Sequence, residues 1–128
     1  MQEKRRSRRI DIDLEGTVNF RQDDGMKSCF IRNINEECAG VMIVTSDPRV
    51  SVMEDLNLAI LIPAYRTPVK CAGRVAWYSE NKNPFTTSTD YAAGIYITDI
   101  SRIDRRRLEL VIAGKREPLG LGSRYSLH

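Results

Sequence analysis

The alternation of apolar and polar side chains along the chain predicts a protein built mainly of β-strands. Ile10, Ile12 and Leu14 alternate with acidic residues, as expected for a strand with one buried face. Gly16 interrupts this alternation before it resumes at Val18 and Phe20, which predicts a bulge or bend there. The further strands predicted in the same way cover residues 26–33, 40–44, 56–62, 67–79 and 91–98.

Polar segments that contain turn-forming residues separate these strands. Residues 22–25 predict a turn, and residues 46–54 and 80–89, each with a proline after Asp or Asn, predict loops. In the fifth strand, every second position carries one of five residues that are predicted to share one face: Val69, Cys71, Gly73, Val75 and Trp77.

After the last strand the period changes, and residues 101–114 predict one helix. Ser101 and Asp104 have the spacing of a capping box, in which each side chain bonds the other residue's backbone N–H. The helix is expected to end at Gly114. Its apolar side is marked by Ile103, Leu108, Val111 and Ile112.

Six strands with no helix between them favour antiparallel pairing. Closure into a small barrel would remove exposed sheet edges. The expected fold is therefore mostly β: a six-stranded antiparallel β-barrel with a C-terminal α-helix. The length of 128 residues suits one domain, here residues 10–114, preceded by an arm (1–9) and followed by a loose tail (115–128).

The net charge of +3 is mild, but positive charge is concentrated at the start of the chain. With no apolar side chain after Met1, this arm is expected to be flexible when unliganded. A second basic run, residues 105–107, is interpreted as a solvated helix face. The basic residues of the arm are Lys4, Arg5, Arg6, Arg8 and Arg9.

Composition argues against an enzyme. The single histidine is His128, so a Ser-His-Asp or Cys-His arrangement has no base. No phosphate-binding glycine motif occurs, and neither a metal nor a cofactor is expected. Three cysteines without a CxxC pair suggest free thiols in a reducing compartment. With no signal peptide or membrane-spanning run, a cytoplasmic protein that does not insert into membranes is expected.

Two segments carry candidate binding chemistry: the arginine arm and the polar stretch 33–40 between two strands. In a small barrel the first can fold over the second. Together they resemble the PilZ domain family, which has an RxxxR motif before its first strand and a (D/N)xSxxG motif between its second and third. Arg5 and Arg9 match the first motif, and Asn33 matches the (D/N) position.

The resemblance extends over residues 5–113. Residues 71–77 are similar to the family's strand that ends in a tryptophan, and residues 94–100 with the capped helix are similar to its C-terminal block. The resemblance implies a six-stranded barrel that binds cyclic di-GMP, a bacterial second messenger, changes shape, and signals to an unidentified downstream protein. The implied ligand-binding residues are Arg5, Arg6, Arg8, Arg9, Asn33, Asn35 and Cys38.

These residue types suit that ligand. The guanidinium group donates a planar fork of hydrogen bonds to phosphate oxygens, matches guanine O6 and N7, and stacks on purine faces. A mobile arm that closes on the ligand would convert binding into a shape change.

The second motif departs from the family pattern. Asn35 stands at the serine position and Cys38 at the glycine position, where glycine often serves a positive φ; both larger side chains narrow the expected pocket. A register shifted to 35–40 restores the glycine but puts Glu37 at the serine position. Asn33 and Asn35 are equally compatible with an Asx-type turn. Trp77 is interpreted as packing rather than as a ligand-stacking residue.

Two alternatives to a receptor remain at this point. The first is a PilZ-like adaptor that does not bind cyclic di-GMP because of Asn35 and Cys38. The second is a nucleic-acid binder that uses the basic arm. The second is disfavoured, since no aromatics interleave with the arm and the body has no basic stripe.

Overall fold

The computed structural model describes residues 8–20, 25–46, 51–82 and 89–116. Of the predicted features, residues 1–7 of the arm, residues 22–24 of the first turn, residues 47–50 and 83–88 of the loops, and residues 117–128 of the tail lie outside this range. The elements are β1 (Arg9–Phe20), β2 (Lys27–Asn35), β3 (Gly40–Thr45), β4 (Asp55–Leu61), β5 (Val69–Lys82), β6 (Thr89–Ile100) and α1 (Arg102–Arg116).

The six strands form a closed barrel in the order β1-β2-β3-β6-β5-β4. Every neighbouring pair is antiparallel, so the predicted fold class is confirmed. The inward-facing side chains of all six strands form one apolar core, as the alternation predicted. Leu108 and Ile112 of α1 belong to the same core, which anchors the helix on the barrel beside β1 and β5.

Gly16 is not at a bulge, contrary to the prediction. The register shift of β1 against β2 lies between Asp11 and Leu14, while Gly16 pairs regularly with Cys29 and with Ile60 of β4. A Cβ atom at Gly16 would lie 2.5 Å from the main-chain oxygen of Ala59. Glycine is therefore required by the close approach of β1 to β4.

The hairpin of β5 and β6 is longer than predicted. Residues 80–82 and Thr89, expected in a loop, pair in the sheet, with Asn81 opposite Asp90 and Lys82 opposite Thr89. The alternation rule missed this extension because it depends on one buried face, and Glu80 and Asp90 are exposed.

Helix α1 begins with the predicted cap, since the backbone N–H of Asp104 donates to Ser101 Oγ over 3.1 Å. The predicted reciprocal bond, from the Ser101 backbone N–H to the Asp104 side chain, is wrong. The Asp104 carboxylate instead accepts the backbone N–H of Lys70 over 3.2 Å. Ile103, assigned to the apolar side, is 69% exposed. The helix also continues to Arg116, two residues beyond its predicted end at Gly114.

The basic run 105–107 is not simply a solvated helix face. Arg107 donates to Thr67 Oγ1 over 3.0 Å and lies over the Tyr65 ring, 4.9 Å from its centroid. Arg105 donates to the main-chain oxygen of Glu37 over 2.8 Å. Both residues thus fix α1 to connections between strands.

Within the described residues, no helix is long and apolar enough to cross a membrane. The same residues contain no group of three His, Cys, Asp or Glu side chains arranged to hold a metal ion.

Candidate ligand-binding groove

An open groove of about 310 Å³ lies on the outer face of the barrel, where β2, β3, β6 and β5 run side by side. Arg9 lies at the edge of the groove, and aromatic side chains come from β5 and β6. Its lining consists of Arg9, Asn33, Asn35, Ala39, Gly40, Val41, Met42, Ala76, Trp77, Gly94, Ile95 and Tyr96.

Strand pairing brings the first predicted motif to the second. Arg9 of β1 lies opposite Asn35 of β2, and the backbone N–H of Glu36 donates to the main-chain oxygen of Arg8 over 2.9 Å. The end of the arm therefore lies beside residues 33–40, as expected. Arg8 is exposed but does not line the groove. Arg5 and Arg6 lie outside the described residues.

A bulge in β2 turns the second motif outward. Ile31 and Ile34 are both fully buried, although they lie three positions apart in a strand, because the register against β3 shifts between Ile31 and Asn33. The phase change places Asn33 and Asn35 on the outer face, where both line the groove.

Asn35 also forms the Asx-type turn that the sequence left open. Its Oδ1 accepts the backbone N–H of Glu37 over 2.8 Å and that of Ala39 over 3.4 Å. Asn33 Nδ2 lies 3.8 Å from Met42 Sδ, a weak acceptor. The turn thus fixes the side-chain oxygen of Asn35 within the loop, while Asn35 as a whole borders the groove.

Cys38 occupies the glycine position of the motif and has a φ of 60°, the left-handed conformation expected there. Its side chain is 1% exposed and lies away from the groove, near Arg105 and Glu109 of α1. Burial raises the pKa of this thiol, and the Arg105 charge opposes the increase. Cys38 therefore does not narrow the groove, contrary to the prediction.

Trp77 faces outward because β5 contains its own irregularity. The register against β6 shifts between Val75 and Trp77. The prediction that Trp77 shares the buried face of Val75 is therefore wrong, and the Trp77 side chain is 38% exposed. Trp77 lies opposite Gly94, where an added Cβ would overlap the indole ring. The indole thus lies directly over the β6 backbone on the outer face of the barrel.

Tyr96 provides a second aromatic side chain that the sequence reasoning did not assign to the site. It is 61% exposed, and its partner in β3 is Gly40, which has no side chain to cover it. The sequence carried no local signal for this placement, because β3 and β6 are not consecutive strands. Aromatic faces beside an arginine suit a planar, anionic ligand.

The model of the PilZ domain family matches residues 3–114 of this sequence. The chain therefore belongs to the PilZ family, as the two motifs predicted. No curated protein matches the sequence.

Two solved structures resemble the barrel. The first is the PilZ domain of YcgR from Escherichia coli with c-di-GMP, at a TM-score of 0.69 and 10% identity over 88% of this chain and 92% of that one. The second is the Bacillus subtilis inhibitor of motility MotI/DgrA, at a TM-score of 0.63 and 16% identity over 88% of this chain and 50% of that one. At these identities the likeness shows the fold.

Proposed function

We propose that this protein is a non-enzymatic receptor for cyclic di-GMP that changes shape on binding and signals to a partner protein. The proposal rests on one observation: Arg9 of the first motif and Asn33 and Asn35 of the second line one groove with Trp77 and Tyr96. Membership of the PilZ family supports it, as does the c-di-GMP in a structure with a similar fold.

Each groove residue has a role that its chemistry supports. The Arg9 guanidinium donates two parallel hydrogen bonds to a ligand phosphate. Trp77 and Tyr96 offer aromatic faces for a guanine ring, and Asn33 addresses a polar base edge. Arg5, Arg6 and Arg8 add positive charge from the arm, and closure of the arm over the ligand is the proposed shape change.

The cysteines support action in the cytoplasm. Cys29, Cys38 and Cys71 are free and buried, and free thiols are typical of reducing compartments.

Calorimetric titration of the full chain with cyclic di-GMP tests the proposal. We expect saturable binding that Arg9→Ala weakens about tenfold or more, since a charge-assisted hydrogen bond is lost, and that Arg5→Ala also weakens. Arg66→Ala is the matched control, because Arg66 is exposed in the β4–β5 connection, away from the groove. Absence of saturable heat from the unmodified protein, or equal affinities of the Arg9 and Arg66 variants, would overturn the receptor assignment.

A second candidate is an adaptor that acts through protein contacts without binding cyclic di-GMP. One observation favours it: the side-chain oxygen of Asn35 is engaged by the amides of the loop. If the unmodified protein gives no heat, the double variant Asn35→Ser, Cys38→Gly separates the cases. Binding by the double variant would assign the loss to these two residues.

A further inference from the structure

We infer that Arg105 is a positioning residue for the groove: through the main-chain oxygen of Glu37 it holds the β2–β3 loop (residues 36–39) and ties the groove to α1. The effect on ligand affinity rests on the proposed function, whereas the effect on the loop does not. Arg105 lies 68 positions from Glu37 in the sequence and lines no part of the groove.

The contact with Arg105 is specific. Its Nη2 donates to the Glu37 oxygen over 2.8 Å, while its Nε lies 3.4 Å from Glu109 Oε2, one helical turn later. Glu109 therefore orients the guanidinium group toward the loop. A charged donor on a main-chain oxygen makes a stronger bond than a neutral one.

Glu37 connects the Arg105 contact to Asn35 at the groove. Glu37 donates its N–H to Asn35 Oδ1 over 2.8 Å and accepts Arg105 at its main-chain oxygen. Displacement of Glu37 would therefore move its partner Asn35, which borders the groove. The loop is further tied to β6, because the N–H of Ile97 donates to the main-chain oxygen of Ala39 over 2.9 Å.

The helix that carries Arg105 is held from both flanks. On the other flank, Arg107 contacts Thr67 and Tyr65, and Asp104 accepts the N–H of Lys70. The first turns of α1 thus form a fixed support against which Arg105 holds the loop. By linkage, a ligand that favours the held loop also favours the docked helix, and to the same extent.

Cys38 provides a built-in reporter of this contact. It lies in the same loop, is almost completely buried, and lines with Arg105 a cleft of about 410 Å³ between loop and helix. The positive charge of Arg105 lowers the pKa of the thiol, partly opposing the effect of burial. Removal of that charge alone would slow alkylation, so faster alkylation of an Arg105 variant can only report exposure.

The experiment alkylates the full chain under native conditions and measures each cysteine by peptide mass spectrometry. Arg105→Ala is compared with Arg105→Lys and with Arg106→Ala, whose side chain is mostly exposed and contacts Glu109. We expect Arg105→Ala to raise the rate at Cys38 relative to Cys29 and Cys71, Arg105→Lys to restore most of the protection, and Arg106→Ala to match the unmodified chain. The two other buried thiols report global unfolding, so the ratio isolates the loop.

The same variants are titrated with cyclic di-GMP. We expect Arg105→Ala to weaken binding about tenfold, Arg106→Ala to leave it within about twofold, and ligand to slow alkylation of Cys38 in the unmodified chain. An unchanged ratio of thiol rates in Arg105→Ala overturns the inference whether or not the ligand binds. Absence of binding to the unmodified chain with an altered ratio rejects the receptor but keeps Arg105 as the residue that positions the loop.

Discussion

Two turns of the barrel place a residue other than glycine in the left-handed backbone region, and they differ in what the side chain does there. In the described part of the chain these residues are Cys38, with φ 60°, after β2, and Met53, with φ 73°, before β4. Cys38 is buried against α1, whereas Met53 is 62% exposed. The energetic cost of the left-handed backbone is similar at Cys38 and Met53. A comparison of the two turns therefore isolates what burial of the side chain adds to stability.

The two turns are also closed differently. The Cys38 turn has one main-chain bond, from the Cys38 N–H to the Asn35 main-chain oxygen over 2.8 Å, and adds a side chain, since Asn35 Oδ1 accepts two loop amides. The Met53 turn uses main-chain partners: Met53 donates its N–H to Val75 over 2.8 Å, and Glu54 donates to Ser51 over 3.1 Å. Only the turn beside the groove therefore depends on the identity of its side chains, which links its stability to the binding site.

The largest expected effect comes from a β-branched residue at each turn. Cys38→Val should lower the free energy of unfolding by about 3 kcal/mol, because the added methyl group is both strained at this φ and overpacked. Met53→Val should cost about 1 kcal/mol, since only the backbone strain applies. Urea denaturation measures both values. Equal losses would mean that the burial of Cys38 does not distinguish the turns.

The next effect concerns the side-chain acceptor. Asn35→Ala should cost about 1.5 kcal/mol, because the amides of Glu37 and Ala39 lose their partner. Ser51→Ala, at the corresponding position of the other turn, should stay within about 0.5 kcal/mol, since the acceptor there is the Ser51 main-chain oxygen.

Asn35→Asp provides the control for this prediction. The carboxylate keeps the acceptor and should restore most of the stability, while its negative charge should still weaken binding of an anionic ligand. A variant that recovers neither stability nor loop structure would contradict the role of the acceptor.

The positive φ at Cys38 and the joining of the two motifs could be predicted from the sequence, because the first depends on local chemistry and the second on the order of the strands. The glycine position of the motif indicated the left-handed conformation, and the alternation before and after residues 33–40 indicated adjacent strands. The strand pairing of Arg9 with Asn35 follows from that order in an antiparallel barrel.

The aromatic side of the groove could not be predicted in the same way. A single inserted residue reverses the face of every later side chain, and such irregularities occur before Asn33 and before Trp77. Alternation therefore placed Trp77 inward. The Arg105 contact depends on how α1 packs against a distant loop, and no local pattern encodes that distance.

Glycine substitutions test the same comparison with a smaller effect. Met53→Gly should raise the free energy of unfolding by about 0.5–1 kcal/mol, because it removes the left-handed strain and the lost side chain was largely solvated. Cys38→Gly should change it by about zero, since relief of the strain is offset by the loss of a buried side chain. Thermal and urea unfolding provide the two measurements, and a gain at Cys38 as large as that at Met53 would show that the thiol contributes no packing.

The last effect is a change of slope at alkaline pH. Burial raises the pKa of Cys38, as it raises that of Cys29 to about 12 and that of Cys71 to about 11. A thiol whose pKa is higher in the folded state stabilises the fold fully below its unfolded pKa of about 8.5. That stabilisation is lost as the pH rises through the folded value, by at most about 1.4 kcal/mol per pH unit for each thiol.

Cys38→Ser should therefore make the decline in unfolding free energy above pH 8.5 shallower, because the hydroxyl does not titrate in this range, while Cys29 and Cys71 keep contributing. Met53→Val should shift the whole curve down without changing its slope, since no titratable group lies at that position. Urea denaturation at intervals of pH between 7 and 10 measures the slopes. If Cys38→Ser and Met53→Val gave parallel curves, the thiol of Cys38 would be ionising as readily in the folded loop as in the unfolded chain, and the burial that separates the two turns would have no energetic consequence.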